Sequence, residues 1–311
     1  MTKVRAWPKA LTMGAASSLF FSCTFLLNRA MSLAGGDWMW SASLRYLISL
    51  PVLFGLCAWK PGSTGRVWQE LKRTPAAWLL WSTVGFGLFY APLTFASACG
   101  PSWMAAGVFQ LTIMAGALLT PLIPDASGQR QKIPVRLFPA FAGMAVGALL
   151  LQLAQIRQSS VSALIFALPV LISAFSYPLG NRKTMQLCGD RLTALERMLA
   201  MTVASTPFFL LLAGAALLRS GWPPVSQTAQ AAVVAICAGT LATSMFFRAT
   251  QLVRASASKL AVVESTQCGE VVFSLLGGVL LLHEPPPDAA GYVGLALITG
   301  GMVVNSLLSG K

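Results

Sequence analysis

The chain has 311 residues, of which 56% are hydrophobic and only 10% charged, with a mean hydropathy of +0.70. A soluble domain carries about 25% charged residues, and disorder requires low hydrophobicity, so both classes are excluded. Lysine and arginine number 22 against 9 acidic residues, a net charge of +13; with no soluble surface to carry a basic groove, this reads as topogenic charge in loops and speaks against nucleic acid as a partner.

Ten apolar runs follow one another along the chain: roughly 10–33, 38–59, 76–98, 102–123, 137–157, 160–181, 193–218, 228–251, 258–282 and 289–308. A spanning helix needs about 20 predominantly apolar residues, so each run predicts one membrane span. The first follows Lys3, Arg5 and Lys9 but is longer than a signal-peptide core, and it is expected to stay as an uncleaved span. Short loops with breakers such as Gly35-Gly36-Asp37, Pro124-Asp125 and Glu284-Pro285-Pro286-Pro287 separate the runs. With the N-terminus inside, 16 lysines and arginines fall on inner segments, Arg130, Lys132, Arg254 and Lys311 among them. Arg29, Arg157 and Arg219 are the 3 on outer edges. That bias predicts two cytoplasmic termini. Seven tryptophans, Trp38, Trp40, Trp59, Trp78, Trp81, Trp103 and Trp222, fall near the predicted interfaces, as belt residues do.

A shift of about 153 residues brings one half of the chain onto the other. Asn28-Arg29 falls on Asn181-Arg182, Arg45 near Arg197, Gln110 on Glu264 and Gly147 on Gly301. Five spans per half is an odd number, so duplicated halves lie in opposite orientations, with a substrate expected between them near the midplane. The predicted fold is an all-α integral membrane protein of ten transmembrane helices in two inverted five-helix repeats, 1–157 and 158–311, forming one membrane domain. Gly143-x-x-x-Gly147 and Ala296-x-x-x-Gly300 are read as helix-packing motifs.

Ionisable side chains within spans are costly and point to function. Glu270 is deep in the ninth run, on a polar face with Thr266 and Ser274, and is the leading candidate for proton or cation coupling. A carboxyl holding helices together is the competing reading. Glu264 is a second candidate, about 9 Å along the axis and about 120° round an ideal helix from Glu270, where Arg248, Arg254 or Lys259 offers a structural pair instead. Arg45 lies deep enough in the second run to meet a buried acid or an anionic substrate group; Arg197 is read as snorkelling. Asn28, Tyr90, Gln110, Tyr177 and Asn181 complete the candidate cavity, with Phe86, Phe89, Phe246 and Phe247 as further aromatic wall.

Catalytic and metal chemistry find little support. The six cysteines are scattered through apolar runs as small hydrophobes, and the single histidine, His283, cannot build a His-rich metal site. Ser256-x-x-Lys259 matches a nucleophile pattern without its companion motifs and is read as chance. No phosphate-binding Gly-rich Lys loop is present, so no nucleotide or other cofactor is expected.

The stretch Gly278, His283-Glu284-Pro285, Gly291, Gly294 and Gly300 is similar to the last loop and span of the drug/metabolite transporter superfamily. Within that superfamily, Asn28-Arg29-Ala30-Met31, the segment 35–46, Tyr90-Ala91-Pro92-Leu93 and the segment 177–183 resemble the multidrug resistance efflux transporter family. The resemblance implies an exporter of a bacterial cytoplasmic membrane working by alternating access. Small multidrug transporters of this superfamily use a glutamate in their first span; the first run here has none, so that role is not carried over, and Glu270 is its substitute on depth alone. Expected partners are a small-molecule substrate and the lipid bilayer. The duplication makes a monomer sufficient and leaves a homodimer open. Two transport readings stand: a coupled exporter of lipophilic or cationic compounds, and an uncoupled exporter or facilitator of a polar metabolite such as an amino acid. A non-transport membrane role is the third.

Overall fold

The computed structural model describes residues 3–123, 133, 135–158, 163–253 and 257–309. Pro124-Asp125, Arg130, Lys132, Arg254, Ser256 and Lys311 lie outside them, as do the side chains of Lys3, Arg5 and Arg157. The described residues form helices and no strand. In chain order these are α1 (Lys3–Leu33), α2 (Trp38–Ala58), α3 (Ser63–Arg73), α4 (Pro75–Cys99), α5 (Ser102–Leu119), α6 (Phe138–Gln158), α7 (Ala163–Cys188), α8 (Ala194–Ser220), α9 (Val225–Val253), α10 (Ala257–Ser265), α11 (Gly269–Leu281) and α12 (Ala289–Ser309). Among the described residues, eight segments, within α1, α2, α4, α5, α8, α9 and α12 and at Val135–Leu153, are long and apolar enough to cross a membrane. Of the remaining expected runs, 160–181 corresponds to α7, and 258–282 to α10 and α11 joined by a 3-10 turn at Thr266–Cys268.

Local chemistry places several helix starts. Asp37 caps α2 by accepting the Met39 N–H at 2.8 Å. Thr193 and Glu196 form a reciprocal capping box at the start of α8, which satisfies amide groups that no helical partner can reach. Leucines such as Leu211 and Leu218, 77% and 90% exposed, cover the outer surface. That pattern is unfavourable in water and suits a lipid face.

Helix pairing follows a pattern. The closest packing joins α6 with α12, α2 with α8, α4 with α7, and α1 with α9, while α1 also meets α11 and α5 meets α7. Two π-helical interruptions begin at Thr83 in α4 and at Ala235 in α9, 152 residues apart. The next span after each is broken as well, at Gln110 in α5 and at Thr266–Cys268 between α10 and α11.

The α6–α12 contact repeats at a fixed register. A Cβ added at Gly147 would lie 2.6 Å from the Gly294 carbonyl oxygen and 2.8 Å from Ile298. One added at Gly301 would lie 3.0 Å from the Ala140 carbonyl oxygen and 2.5 Å from Met144. Each of these residues is 154 positions from its counterpart, Gly147 with Gly301, Ala140 with Gly294, Met144 with Ile298. Gly143 and Gly300 face open space, so the expected packing motifs are corrected: small residues serve here only where backbones cross. The tryptophan belt is corrected too. Trp59 and Trp222 are exposed, but Trp78 and Trp103 are fully buried, and Trp103 donates its Nε1–H to the Pro285 carbonyl at 3.3 Å.

Ion pairs fasten the two ends of the bundle. On the face bearing the N-terminus, the connecting helix α3 is tied to the α7–α8 corner by Arg66 with Glu196 and by Arg191 with Glu70 (2.7 and 2.8 Å). On the opposite face, the Glu284 carboxylate accepts from Arg29 Nε at 3.1 Å, from the Ser102 amide at 2.9 Å and from the Ser102 hydroxyl at 2.6 Å. His283 takes a left-handed backbone (φ 54), turning the chain so that this carboxylate meets the first turn of α5. A Cβ at Gly278 would collide with the Glu284 carboxylate and the Ser102 hydroxyl, so a larger residue there would displace this knot.

Two outcomes follow from this packing. Gly147→Ala destabilises the protein by about 1–3 kcal/mol through overpacking, whereas Gly143→Ala is neutral or stabilising by up to about 1 kcal/mol, as alanine is the better helix former; melting of the purified variants in detergent separates them. Hydrogen bonds from Arg191 hold the Glu70 carboxyl below its usual range, so their stabilising effect exists above the unfolded pKa of about 4.3 and disappears as pH falls through the lower folded value. Glu70→Gln therefore melts earlier than wild type at pH 7, and the gap closes below about pH 4.

Candidate functional site

The interrupted helices surround a central cavity of about 400 Å³, a size that accepts a small organic molecule. Interruptions matter here because a π-turn re-aims side chains and frees backbone groups, and such breaks at corresponding places mark transporter binding sites. Gly85, inside the first π-turn, lets α4 approach α7 so closely that a Cβ on Gly180 would fall on the Gly85 backbone. This contact sets Phe86 and Phe89 beside Tyr177 and Asn181 in the cavity wall.

Six expected site residues line the cavity: Arg45, Gln110, Tyr177, Asn181, Glu264 and Glu270. Glu270 is buried, and its Oε2 accepts a hydrogen bond from Gln110 Nε2 at 3.2 Å. The separate-face expectation for Glu264 is corrected. The tight turn at Thr266–Cys268 advances about 120° per residue instead of about 100°, which closes roughly half the angle between the two carboxyls. None of the described ion pairs involves Glu264, so the expected pairing with Arg248 or Lys259 is not found there; Arg254 is outside the described residues.

Asn28 and Tyr90 stand one layer behind the wall. Asn28 Nδ2 donates to the Tyr90 hydroxyl at 2.9 Å, and both residues are buried. The Arg45 guanidinium lies 4.0 Å from the Tyr90 ring centroid and 5.5 Å from that of Tyr46. Tyr46 in turn stacks on Phe209 at 4.3 Å with an interplanar angle of 12°. This aromatic layer supports the guanidinium from below by cation–π attraction, yet Arg45 Nη1 is buried with no hydrogen-bond partner.

Arg197, Tyr46 and Asn305 are among the wall residues that sequence reasoning missed. Arg197 was expected to snorkel, but it faces the cavity, and its Nε is buried without a partner. The signal was present, since Arg197 is 152 residues from Arg45 and occupies the matching place in the chain. Tyr46 joins the wall beside Arg45; its single neighbouring position gave no sign of its stacking partner on a distant helix. Of the suggested aromatics, Phe86, Phe89, Phe246 and Phe247 all line the cavity.

Asn181, Arg197 and Asn305, in the halves of their helices nearest the N-terminal face, belong to the cavity wall, as do Thr24, Phe25, Arg45 and Leu93 from the opposite halves of theirs. The opposite end is closed by the Arg29–Glu284–Ser102 knot, with Arg29 Nη1 also donating to the Ala98 carbonyl at 3.0 Å.

Comparison with known proteins bears on the fold and the family. A solved crystal structure that is 16% identical superposes with a TM-score of 0.61 over 96% of this chain and 97% of its own, which bears on the fold alone. The protein YjlA of Bacillus subtilis (strain 168) is 45% identical over 309 residues, covering 97% of this chain and 95% of its own. A 42.1 kDa protein of Shouchella clausii is 43% identical over 266 residues, covering 84% and 70%. The family model "EmrE: Putative multidrug resistance efflux transporter" matches residues 8–311. Helices long and apolar enough to cross a membrane and a family match over nearly the whole length lead to one conclusion: this chain is a multi-pass membrane protein that belongs to the EmrE family of multidrug resistance efflux transporters.

Proposed function

We propose that the protein is a secondary transporter of a bacterial cytoplasmic membrane, exporting small amphiphilic molecules that carry a positive charge, with Glu270 exchanging substrate for protons. The observation that carries this reading is a buried carboxyl facing an aromatic-walled cavity with, among the described residues, a single side-chain hydrogen-bond partner, Gln110. A membrane-embedded acid with so little compensation suits reversible protonation. The α10–α11 break also packs on α1, where Gln267 donates to Ser17 Oγ at 3.2 Å and Gly269 lies against Ser18. The coupling carboxyl thus enters the space beside the first span from a neighbouring helix.

In this reading ten spans form two inverted repeats, 1–157 and 158–311, with both termini cytoplasmic. The matched interruptions and the 154-residue register of the α6–α12 contact support the duplication. The cavity then opens inward and the Arg29–Glu284 knot closes the outside. Alternating access exchanges which end is closed, and one chain supplies both halves. We assign the chain no catalytic step and no cofactor. The second reading, an uncoupled exporter of a polar metabolite such as an amino acid, is favoured by one feature, the two arginines in the cavity wall.

In proteoliposomes challenged with labelled lipophilic cations, amino acids and anionic metabolites, wild type should show substrate flux driven by an imposed pH gradient that Glu270→Gln lacks; flux that ignores the pH gradient and persists in Glu270→Gln selects the uncoupled reading, and no flux for any class removes both. For topology, cysteines introduced at Ser220 and Lys60 in a cysteine-free background should react with an impermeant maleimide from outside and only after permeabilisation, respectively. The reverse pattern inverts the orientation.

A further inference from the structure

Charges of both signs line the cavity without touching. Arg45 and Arg197 bring guanidinium groups from α2 and α8, which pack against each other. Glu264 and Glu270 bring carboxyls from α10 and α11. Neither α2 nor α8 makes an extended contact with α10 or α11, so the two poles belong to separate walls. The ion pairs among the described residues, Arg29–Glu284, Arg66–Glu196, Arg191–Glu70 and Arg219–Asp37, use none of these four. Arg45 is 8% exposed, and its Nη1 has no partner; Arg197 Nε has none either. Leaving a buried guanidinium nitrogen without a partner is unfavourable, and pairing with a nearby carboxylate is the usual remedy. Here the cavity prevents that pairing.

We infer that the substrate itself completes both poles: the binding site takes a zwitterion, whose carboxylate or similar anion meets Arg45 and Arg197 while its ammonium meets Glu270, with an apolar or aromatic body against the Phe86, Phe89 and Tyr46 wall. The inference rests on the exporter reading and narrows its positively charged substrate to molecules that also carry an anionic group. It explains why a cavity for a cation retains two arginines, since a cation alone would leave them unpaired and add repulsion. A guanidinium fork matches a carboxylate in a bidentate way, which a point charge does not.

The test is binding by calorimetry to the full chain purified in detergent. The probes are two zwitterions of different charge separation, phenylalanine and 4-(aminomethyl)benzoate, with their cation-only and anion-only analogues, phenethylamine and 3-phenylpropanoate for the first, benzylamine and benzoate for the second. At least one zwitterion should bind about tenfold or more tightly than both of its analogues. Arg45→Gln and Arg197→Gln should each erase the preference over the cation, Arg45→Lys should keep part of it, and Glu270→Gln should erase the preference over the anion. These opposite shifts in selectivity, at unchanged melting temperature, separate recognition from a structural role. A cation-only analogue that binds as well as its zwitterion, or no zwitterion binding at all, overturns the inference. Zwitterion binding with the expected selectivity but no counterflow in proteoliposomes keeps it and overturns the exporter reading instead.

Discussion

A charge removed from water must find its compensation inside the protein, and in a bundle of apolar helices every ionisable group is sorted by that constraint. At the two ends of this molecule the compensation is complete. Glu284 accepts from Arg29 and from both the amide and hydroxyl of Ser102. Glu196 accepts from Ser63, Arg66 and its own capping partner Thr193. In the middle the compensation is partial: Gln110 reaches Glu270, the aromatic layer of Tyr90 and Tyr46 reaches Arg45, and Arg197 Nε is left without a partner.

The same division appears in the backbone. Helices that close the bundle, α6 and α12, run unbroken and cross through glycines set against carbonyl oxygens. Several helices that contribute to the cavity wall are interrupted: α4 and α9 by π-turns, α5 at Gln110, and the α10–α11 pair by a 3-10 turn. Each interruption costs regular hydrogen bonding, and in a membrane such backbone survives only where protein or a polar cavity surrounds it. The breaks therefore lie where side chains must be re-aimed, and the turn at Thr266–Cys268 brings Glu264 towards the face of Glu270.

Family membership and geometry complement each other. The family places the chain among efflux transporters, and the first span lacks any acid on which a coupling step could rest. In the proposed mechanism the carboxyl comes from α11, which packs against α1, so the function of one helix is taken over by its neighbour without moving the site. The knot at Glu284 gives the closed end a specific chemistry, an ion pair reinforced by a helix N-terminus, which can be undone only if both sides find new partners together.

Much of this was legible in the residues alone. Composition and run length determine a membrane bundle, because about 20 apolar residues have no other stable use in such numbers. Depth within a run singled out Glu270 and Arg45, since a group that cannot snorkel must face the interior. Tertiary structure decided the rest. Whether Glu264 shares the face of Glu270 depends on a local change of helical pitch, which a periodicity of 3.6 conceals. Whether Arg197 points to the surface or to the cavity depends on α2 packing beside α8, more than 150 residues away in the chain. Trp78 and Trp103 look like belt residues by position and prove to be core, because α3 and the Pro285 turn cover them. Sequence spacing reports the position of a residue along a helix; the neighbour that covers it is set by long-range packing.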